Sequence, residues 1–133
     1  SLAILLYIKD NDEGKKKSWR GDPDLLQGLQ WMAKHFAADH NPYPQDPDDP
    51  RTRKDVCYYL YAVERLGALY GTELIGTHSW YAAGLPALLE SQKADGSWGG
   101  GVADTCFALL FLRRATQPLQ PVASVDRILP RDK

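Results

Sequence analysis

Apolar residues recur every three or four positions over several segments of the chain, which is the spacing of one face of an α-helix. In the segment 24–38 these positions are Leu25, Leu29, Met32 and Phe36. Further helices are predicted over residues 2–9, 56–70, 80–92 and 105–115. No segment shows a convincing alternation of apolar and polar residues, so the pattern predicts an all-α fold.

Helix-start and helix-stop residues stand at the edges of these segments. The candidate N-caps are Asp22 or Asp24, Asp55, Ser79 and Asp104. Pro86 lies inside the fourth segment and predicts a kink or a frayed first turn there. A loop rich in proline and aspartate is predicted over residues 40–54, and an irregular tail over residues 117–133.

Two types of helix alternate along the chain. The stretch "ADTCFALLFL" aligns with "KDVCYYLYAV" 49 residues earlier, so that Asp104 falls on Asp55 and Cys106 on Cys57. Its part "TCFALLFL" also aligns with "SLAILLYI" at the beginning of the sequence. These segments are apolar nearly all round, whereas the segments 24–38 and 80–92 are amphipathic and align with each other.

This alternation predicts two layers of helices. A helix that is apolar on every side has to be covered on every side, and an amphipathic helix can cover it while facing water. Residues 1–9, 55–70 and 104–115 are therefore expected to form inner helices, jacketed by the segments between them. The whole chain, residues 1–133, is interpreted as one partial domain of about five helices. Because the first inner helix has no cap residue of its own, the sequence is expected to be a piece of a longer protein.

The segment "GLPALLESQKADGSWGG" resembles the repeat of squalene and hopene cyclases, in which a glutamine, a glycine and a tryptophan recur at fixed spacing. These residues are Gln92, Gly96 and Trp98. The following "ADTCFALLFLRRA", which begins near Asp104, resembles the inner helices of the same superfamily, to which protein prenyltransferase β-subunits also belong. The resemblance implies an α/α toroid, a ring of inner and outer helices. It implies no particular reaction, because one fold supports many chemistries.

The residues of the repeat also have a structural interpretation. Gln92 stands near a helix end, where its amide can bind exposed backbone groups of a neighbouring element. Gly96 is expected to adopt a positive φ and to stop the helix. Trp98 is expected to stack over the amide of Gln92 or to plug the turn between the two layers.

Asp55 and Cys57 resemble two zinc ligands of the protein prenyltransferases, which carry an aspartate and a cysteine at the start of an inner helix. The resemblance implies a histidine as third ligand, and Asp104 stands at the best-matching position. The alternative is that Asp55 and Asp104 are N-caps and that both cysteines are small buried residues. A disulfide between Cys57 and Cys106 is not expected, because neighbouring helices lie ~8–10 Å apart.

Aromatic residues on the inner helices are candidates for an apolar binding site. Those expected to face the inside of the ring are Tyr58, Tyr61, Phe107 and Phe111. The resemblance implies that such faces hold an isoprenoid-like ligand, and the alternative is that they form the core. The string from Asp46 to Asp49 formally matches the catalytic acid motif of hopene-type cyclases, but an acidic surface loop is the simpler interpretation.

Composition excludes some classes of partner. With 133 residues and a net charge of −1, the chain carries no strong positive field, so nucleic acid is not expected as a partner. No apolar run reaches the ~18–20 residues that a membrane-spanning helix needs. Two cysteines do not make a disulfide framework, and the compartment stays undetermined.

Three functional hypotheses remain at this point, and the question of enzymatic activity is open. The first is a toroid piece that is non-catalytic by itself and serves as a scaffold or as a surface for apolar ligands or proteins. Its exposed apolar face would pack against the remainder of a parent chain or a second copy. The second is a portion of an active terpene cyclase or prenyltransferase whose acid or metal site lies elsewhere. The third is another class of α/α toroid. No cofactor is predicted, with zinc as the alternative.

Overall fold

The computed structural model describes residues 19–42, 49 and 54–116, and within them the all-α prediction is confirmed. The helices are a short 3-10 turn (Trp19–Gly21), α1 (Pro23–His35), α2 (Val56–Tyr70), α3 (Trp80–Ser91) and α4 (Val102–Arg113). The predicted helix over residues 2–9, most of the loop 40–54 and the tail 117–133 lie outside the described residues.

Helix α1 begins where the sequence predicts. The carboxylate of Asp22 accepts hydrogen bonds from the backbone N–H groups of Asp24 and Leu25, at 3.1 and 3.2 Å, and thus caps the helix. The helix ends at His35, three residues before the predicted end. Phe36 leaves the helical conformation, and its ring stacks on His78 with the ring centroids 5.0 Å apart.

Helix α2 matches its predicted range, but the predicted side-chain cap at its N-terminus is not formed. Asp55 occupies the N-cap position, and its side chain makes no capping hydrogen bond. Ser79 likewise precedes α3 without a side-chain cap. The C-terminus of α2 follows the usual rule, because Gly71 adopts a left-handed conformation (φ +80°) and donates its N–H to the carbonyl of Gly67.

Helix α4 begins three residues earlier than predicted. Its N-cap is Gly101 and not Asp104, which lies in the first turn of the helix. The carboxylate of Asp104 accepts a hydrogen bond from the backbone N–H of Gly100, the residue before the N-cap, at 2.7 Å. The prediction of Asp104 as N-cap was therefore wrong in position, although the side chain does satisfy a backbone donor at this helix end.

A small hairpin joins α2 to α3. Leu74–Ile75 (β1) pairs antiparallel with His78–Ser79 (β2) across the turn Gly76-Thr77. Gly76 has a φ of +61° and lies so close to Ala33 of α1 that an added Cβ would be 2.7 Å from the Ala33 Cβ. Two-residue strands are too short for an alternating pattern, so the sequence carries no periodic signal for them.

Helix α2 forms the centre of the core. Its buried residues are Cys57, Tyr59, Leu60, Val63, Glu64, Leu66, Gly67 and Leu69. Its most extensive helix contact is with α4, although α3 separates the two in the chain, and α3 also packs on it. The two segments that the repeat identifies as equivalent are thus packed directly against each other.

The chain that precedes α1 is fixed to the end of α2. Arg20 donates from Nε to the carbonyl of Tyr70 at 3.1 Å, and the Tyr70 hydroxyl donates to the carbonyl of Arg20 at 3.2 Å. Burial raises the pKa of the Tyr70 hydroxyl, and the nearby Arg20 guanidinium opposes this rise. This reciprocal pair holds the start of the described chain against the C-terminal end of α2.

Helix α4 is not covered on every side within the described residues. Ala108 and Phe111 are fully buried, whereas the side chains of Val102 and Leu109 are 82% and 53% exposed. The expectation that this apolar helix would be shielded all round is therefore not met by α1–α3. Helix α4 buries one face and leaves the opposite face open.

Gly84 determines how closely α3 and α4 approach. The ring of Phe111 fills the space beside it, and a Cβ at residue 84 would lie 2.5 Å from Phe111 Cζ. We expect Gly84→Ala to lower the free energy of unfolding by about 1–3 kcal/mol, because overpacking outweighs the gain of about 0.5–1 kcal/mol in helix propensity. Urea denaturation measures the difference.

The matched control for this prediction is Gly21→Ala, since a Cβ there meets nothing within 4 Å. The double variant G84A/F111L removes ring atoms at the contact and is expected to be less affected than the sum of the two single changes. A G84A protein as stable as the parent would contradict the packing described here.

Candidate functional site

The turn between α3 and α4 is a tightly bonded plug built around Trp98. Its indole is buried and donates from Nε1 to the carbonyl of Leu88 in α3 at 2.7 Å. The backbone N–H of Trp98 donates to Thr105 Oγ1 in α4 at 3.0 Å. Trp98 thus joins the end of one helix to the beginning of the next, as a packing residue.

Gln92 and Gly96 belong to the same turn. Helix α3 ends at Ser91, and Gly96 lies beyond it with a φ of +83°. The positive φ was predicted, but Gly96 shapes the turn and does not stop the helix. The amide of Gln92 donates to the carbonyl of Gly96 at 2.9 Å, so it binds its own turn and not a neighbouring element.

The carboxylate of Asp104, in the first turn of α4, packs against Gly99 of the turn. Gly99 has a φ of +58°, and a Cβ there would lie 2.2 Å from Asp104 Oδ2. Asp95 fixes the preceding bend, because its carboxylate accepts hydrogen bonds from the hydroxyl and the N–H of Ser97. These two bonds lower the pKa of Asp95. The carboxylates of Asp95 and Asp104 thus stabilise the backbone conformation of this turn.

Three of the four predicted binding-site aromatics lie together. The ring of Phe107 meets Tyr58 edge-on at 5.2 Å between centroids and stacks on Tyr61 at 5.3 Å. Arg65 donates to the Tyr61 hydroxyl at 3.0 Å and lies over the Tyr61 ring. We call Tyr58, Tyr61 and Phe107 the aromatic ledge; Tyr58 is its most exposed member, at 57%.

Phe111, the fourth predicted aromatic, does not belong to the ledge. It is fully buried and stacks on Tyr81 at 5.5 Å, with Trp80 edge-on at 6.0 Å. The prediction that it faces a cavity was wrong, because α4 turns this side chain toward Gly84. A helix that is apolar nearly all round gives no sequence signal for which side is buried.

An arginine covers this buried aromatic group from outside. The guanidinium of Arg114 lies 5.3 Å from the ring centre of Trp80 and 5.2 Å from that of Tyr81, and it is paired with Glu73. Arg114 adopts a left-handed conformation (φ +51°) at the end of α4. The Tyr81 hydroxyl donates to the carbonyl of Leu112 at 2.9 Å, which fixes the same helix end to α3.

Asp55 and Cys57, the two predicted zinc ligands, lie at the N-terminal end of α2. Cys57 is buried and Asp55 is exposed. Burial, followed by the nearby charge of Asp104, raises the pKa of the Cys57 thiol from 9.0 to about 11, so the thiol stays protonated at neutral pH. Within residues 19–42, 49 and 54–116, no three His, Cys, Asp or Glu side chains are grouped closely enough to hold a metal ion. Among these residues, Asp55 and Cys57 are thus not joined by a third candidate metal ligand.

A buried carboxylate was missed by the sequence analysis. Glu64 of α2 has no exposed surface and accepts hydrogen bonds from Thr116, at 3.0 Å from the backbone N–H and 2.6 Å from the hydroxyl. This pair fixes the chain just after α4 to the centre of α2. The only available signal was a glutamate among apolar neighbours on a helix that is expected to be buried.

The open face of α4 is a regular apolar strip. We define the α4 strip as Val102, Cys106, Leu109 and Arg113, which are all exposed and follow each other at spacings of four and three residues. A hollow of about 500 Å³ lies at its N-terminal end, lined by Val102, Cys106 and the glycines of the turn. The side chain of Lys93 borders the hollow and donates to the carbonyl of Gly99. The strip presents three apolar side chains and one cation.

Comparisons with known proteins add no relative: no family model matches the chain, and neither the curated proteins nor the solved structures include a match. The described helices are all too short, or too polar, to cross a lipid bilayer. Of the acidic string from Asp46 to Asp49, only Asp49 lies among the described residues, where it is half-buried.

Trp98 is expected to be the residue of this turn on which stability depends most. We expect Trp98→Phe to lower the free energy of unfolding by about 1–2 kcal/mol, because it removes a buried hydrogen bond and leaves a gap. Trp98→Ala should cost about 3–5 kcal/mol. The control is Trp31→Phe on the exposed side of α1, which should stay within about 0.5 kcal/mol. If Trp98→Phe and Trp31→Phe lowered the stability equally in thermal unfolding, the structural role of Trp98 would be refuted.

The two cysteines are expected to differ in reactivity and in their effect on alkaline stability. A maleimide should label Cys106 rapidly and Cys57 only upon unfolding, since Cys106 is exposed and Cys57 is buried. The folded protein holds the Cys57 proton more tightly than the unfolded chain, so this contribution to stability is complete below pH 9 and is lost as the pH rises toward 11.

Denaturant titrations at pH 8 and pH 10.5 measure this pH dependence. The parent protein should lose stability between the two values, and Cys57→Ala should lose less, whereas the control Cys106→Ala should behave like the parent. A pH dependence identical in all three proteins would show that Cys57 is not the group responsible.

Proposed function

We propose that this chain is a helical scaffold of the α/α-toroid type, non-catalytic by itself, that binds a further helical protein segment on the α4 strip. The observation that carries the proposal is the strip itself: apolar side chains at helical spacing on a helix whose opposite face is fully buried. Large apolar side chains grouped on one exposed face are typical of an interaction surface.

The chemistry of the strip defines the partner. Spacings of four, three and four residues between positions 102, 106, 109 and 113 are those with which one helix meets another along a seam. The fitting partner is an amphipathic helix with apolar residues at the same spacing. Arg113 at the end of the strip favours an acidic residue opposite it. Such a helix belongs to the remainder of a longer chain or to a second copy.

The polar residues support a scaffold more than an active site. Asp95 and Asp104 bind backbone groups of the turn, and Glu64 binds Thr116. Burial raises the pKa of the Cys57 thiol in the core, which favours its neutral form. Three of the carboxyl groups in the described part of the chain are therefore used to fix helix ends and turns.

A charge placed on the strip tests the proposal. We expect the parent protein to bind a hydrophobic dye and to self-associate at high concentration, because an uncovered apolar strip finds a partner. Leu109→Glu should weaken both properties, while its stability stays within about 0.5 kcal/mol of the parent. Dye fluorescence and light scattering are the measurements.

Ala103→Glu provides the matched control, since Ala103 is exposed on the same helix and lies outside the strip. It should leave dye binding and association unchanged. A parent protein that is monomeric at all concentrations and binds no dye would refute the proposal, as would equal effects of the two substitutions.

A further inference from the structure

We propose that Thr116 is a phosphorylation site for an arginine-directed serine/threonine kinase, and that the phosphate releases the chain after α4 from α2. We call residues 113–116, with the sequence Arg-Arg-Ala-Thr, the Arg-Thr segment. The proposal is carried by the order of these residues, by the contacts that hold the segment, and by the buried carboxylate of Glu64. It does not depend on the partner helix proposed for the α4 strip.

The Arg-Thr segment carries the charge pattern that this class of kinase recognises. Its two arginines lie three and two residues before the threonine, and the residue between them and the threonine is a small alanine. Kinases of this class bind the two side chains in acidic subsites, because the planar guanidinium group fits a carboxylate with two parallel hydrogen bonds. In this register the Thr116 hydroxyl is the group presented to ATP.

The reaction transfers one phosphoryl group to Thr116. A bond forms between Thr116 Oγ1 and the γ-phosphorus of ATP, while the bond from this phosphorus to the oxygen that bridges it to the β-phosphate breaks. ADP leaves with the electron pair of the broken bond, and the hydroxyl proton passes to the catalytic aspartate of the kinase. The product carries a charge of about −1.5 to −2 at neutral pH, where the threonine carried none.

The folded chain holds both ends of this pattern. Arg113 is exposed, whereas Arg114 is paired with Glu73 and lies over two aromatic rings of α3. Thr116 is half-buried, and its hydroxyl donates to Glu64 Oε2 at 2.6 Å. The segment begins at the last residue of α4, and helix ends open locally at a small cost in free energy. A kinase therefore captures the segment while these side-chain contacts are open.

A phosphate on Thr116 is incompatible with the closed position of the segment. Glu64 is fully buried, and its carboxylate accepts hydrogen bonds from the N–H and the hydroxyl of Thr116. The phosphate would place a second anion against this carboxylate and beside the C-terminal end of α4, which carries the negative end of the helix dipole. Both interactions are repulsive, so the phosphorylated segment leaves α2 and exposes Glu64 to water.

Phosphorylation of the full chain in vitro tests the site. The probe is the catalytic subunit of a cyclic-AMP-dependent protein kinase, with ATP, and mass spectrometry should find a phosphate on Thr116. Arg113→Ala should lower the rate about tenfold or more, because it removes one guanidinium group that the kinase binds. The matched control is Arg65→Ala, an exposed arginine of α2, which should leave the rate unchanged. An unmodified Thr116, or equal effects of the two substitutions, would overturn the proposal.

A second set of variants tests whether the kinase captures a locally opened segment. Glu73→Gln removes the ionic partner of Arg114 and should raise the rate about two- to fivefold, whereas Glu90→Gln on the exposed end of α3 should not change it. Trp98→Phe destabilises the whole fold at the opposite end of α4 and should also leave the rate unchanged. A rate that rises in Trp98→Phe and not in Glu73→Gln would show that only the unfolded chain is phosphorylated, which overturns the proposal.

Hydrogen exchange tests the release. The Thr116 amide, which donates to Glu64, should exchange about tenfold faster or more once Thr116 is phosphorylated. The control is the amide of Gly71, which donates to the carbonyl of Gly67 at the end of α2 and should exchange as before. A phosphorylated protein whose Thr116 amide keeps its protection would overturn the release from α2.

Discussion

The described structure depends on aromatic rings that fill gaps left by glycines. Trp80 of α3 lies against Gly67 of α2, where a Cβ would be 2.5 Å from the indole Nε1. Phe111 of α4 lies in the same way against Gly84 of α3. Because α3 places a ring against Gly67 of α2 and α4 places one against Gly84 of α3, these three helices approach closely and share one core. Dispersion contacts of this density are lost when either partner changes volume.

The turn before α4 fixes the start of this helix relative to α3, and Phe111 lies on α4 beside Gly84. Trp98 fixes the turn to Leu88 of α3, and Thr105 fixes the start of α4 to Trp98. At the far end, the Tyr81 hydroxyl binds Leu112, and Glu64 binds the chain at Thr116. Hydrogen bonds at both ends of α4 thus set its position against α2 and α3. In this position the ring of Phe111 fills the space beside Gly84.

Helical periodicity and helix-start residues predict much of this architecture. The range of α2 and a cap at Asp22 or Asp24 follow from the sequence, since both depend on local signals, and the structure selects Asp22. The repeat also pairs α2 with α4, which are in direct contact. Trp98 was correctly interpreted as a packing residue, because a tryptophan in a glycine-rich turn has few other ways to bury its ring.

The parts that could not be predicted depend on tertiary contacts. Phe111 and Phe107 are equivalent as apolar residues, and only the position of Gly84 decides which of them enters the core. Asp104 stands at a plausible N-cap position, but the left-handed Gly99 allows α4 to begin three residues earlier. The burial of Glu64 depends on Thr116, 52 residues away, which no local pattern reveals.

Helix α4 differs from α2 and α3 in containing no glycine that could receive an aromatic ring. Helices α2 and α3 each offer a glycine that receives the ring of the next helix, whereas the sequence of α4, from Val102 to Arg113, contains no glycine. An element that packs on α4 therefore meets a surface of full-size side chains and cannot insert a ring between backbones. In the proposed function, the partner helix lies along the α4 strip, at the separation of about 8–10 Å at which helices pack. The glycines that bring α2, α3 and α4 together thus have no counterpart in α4.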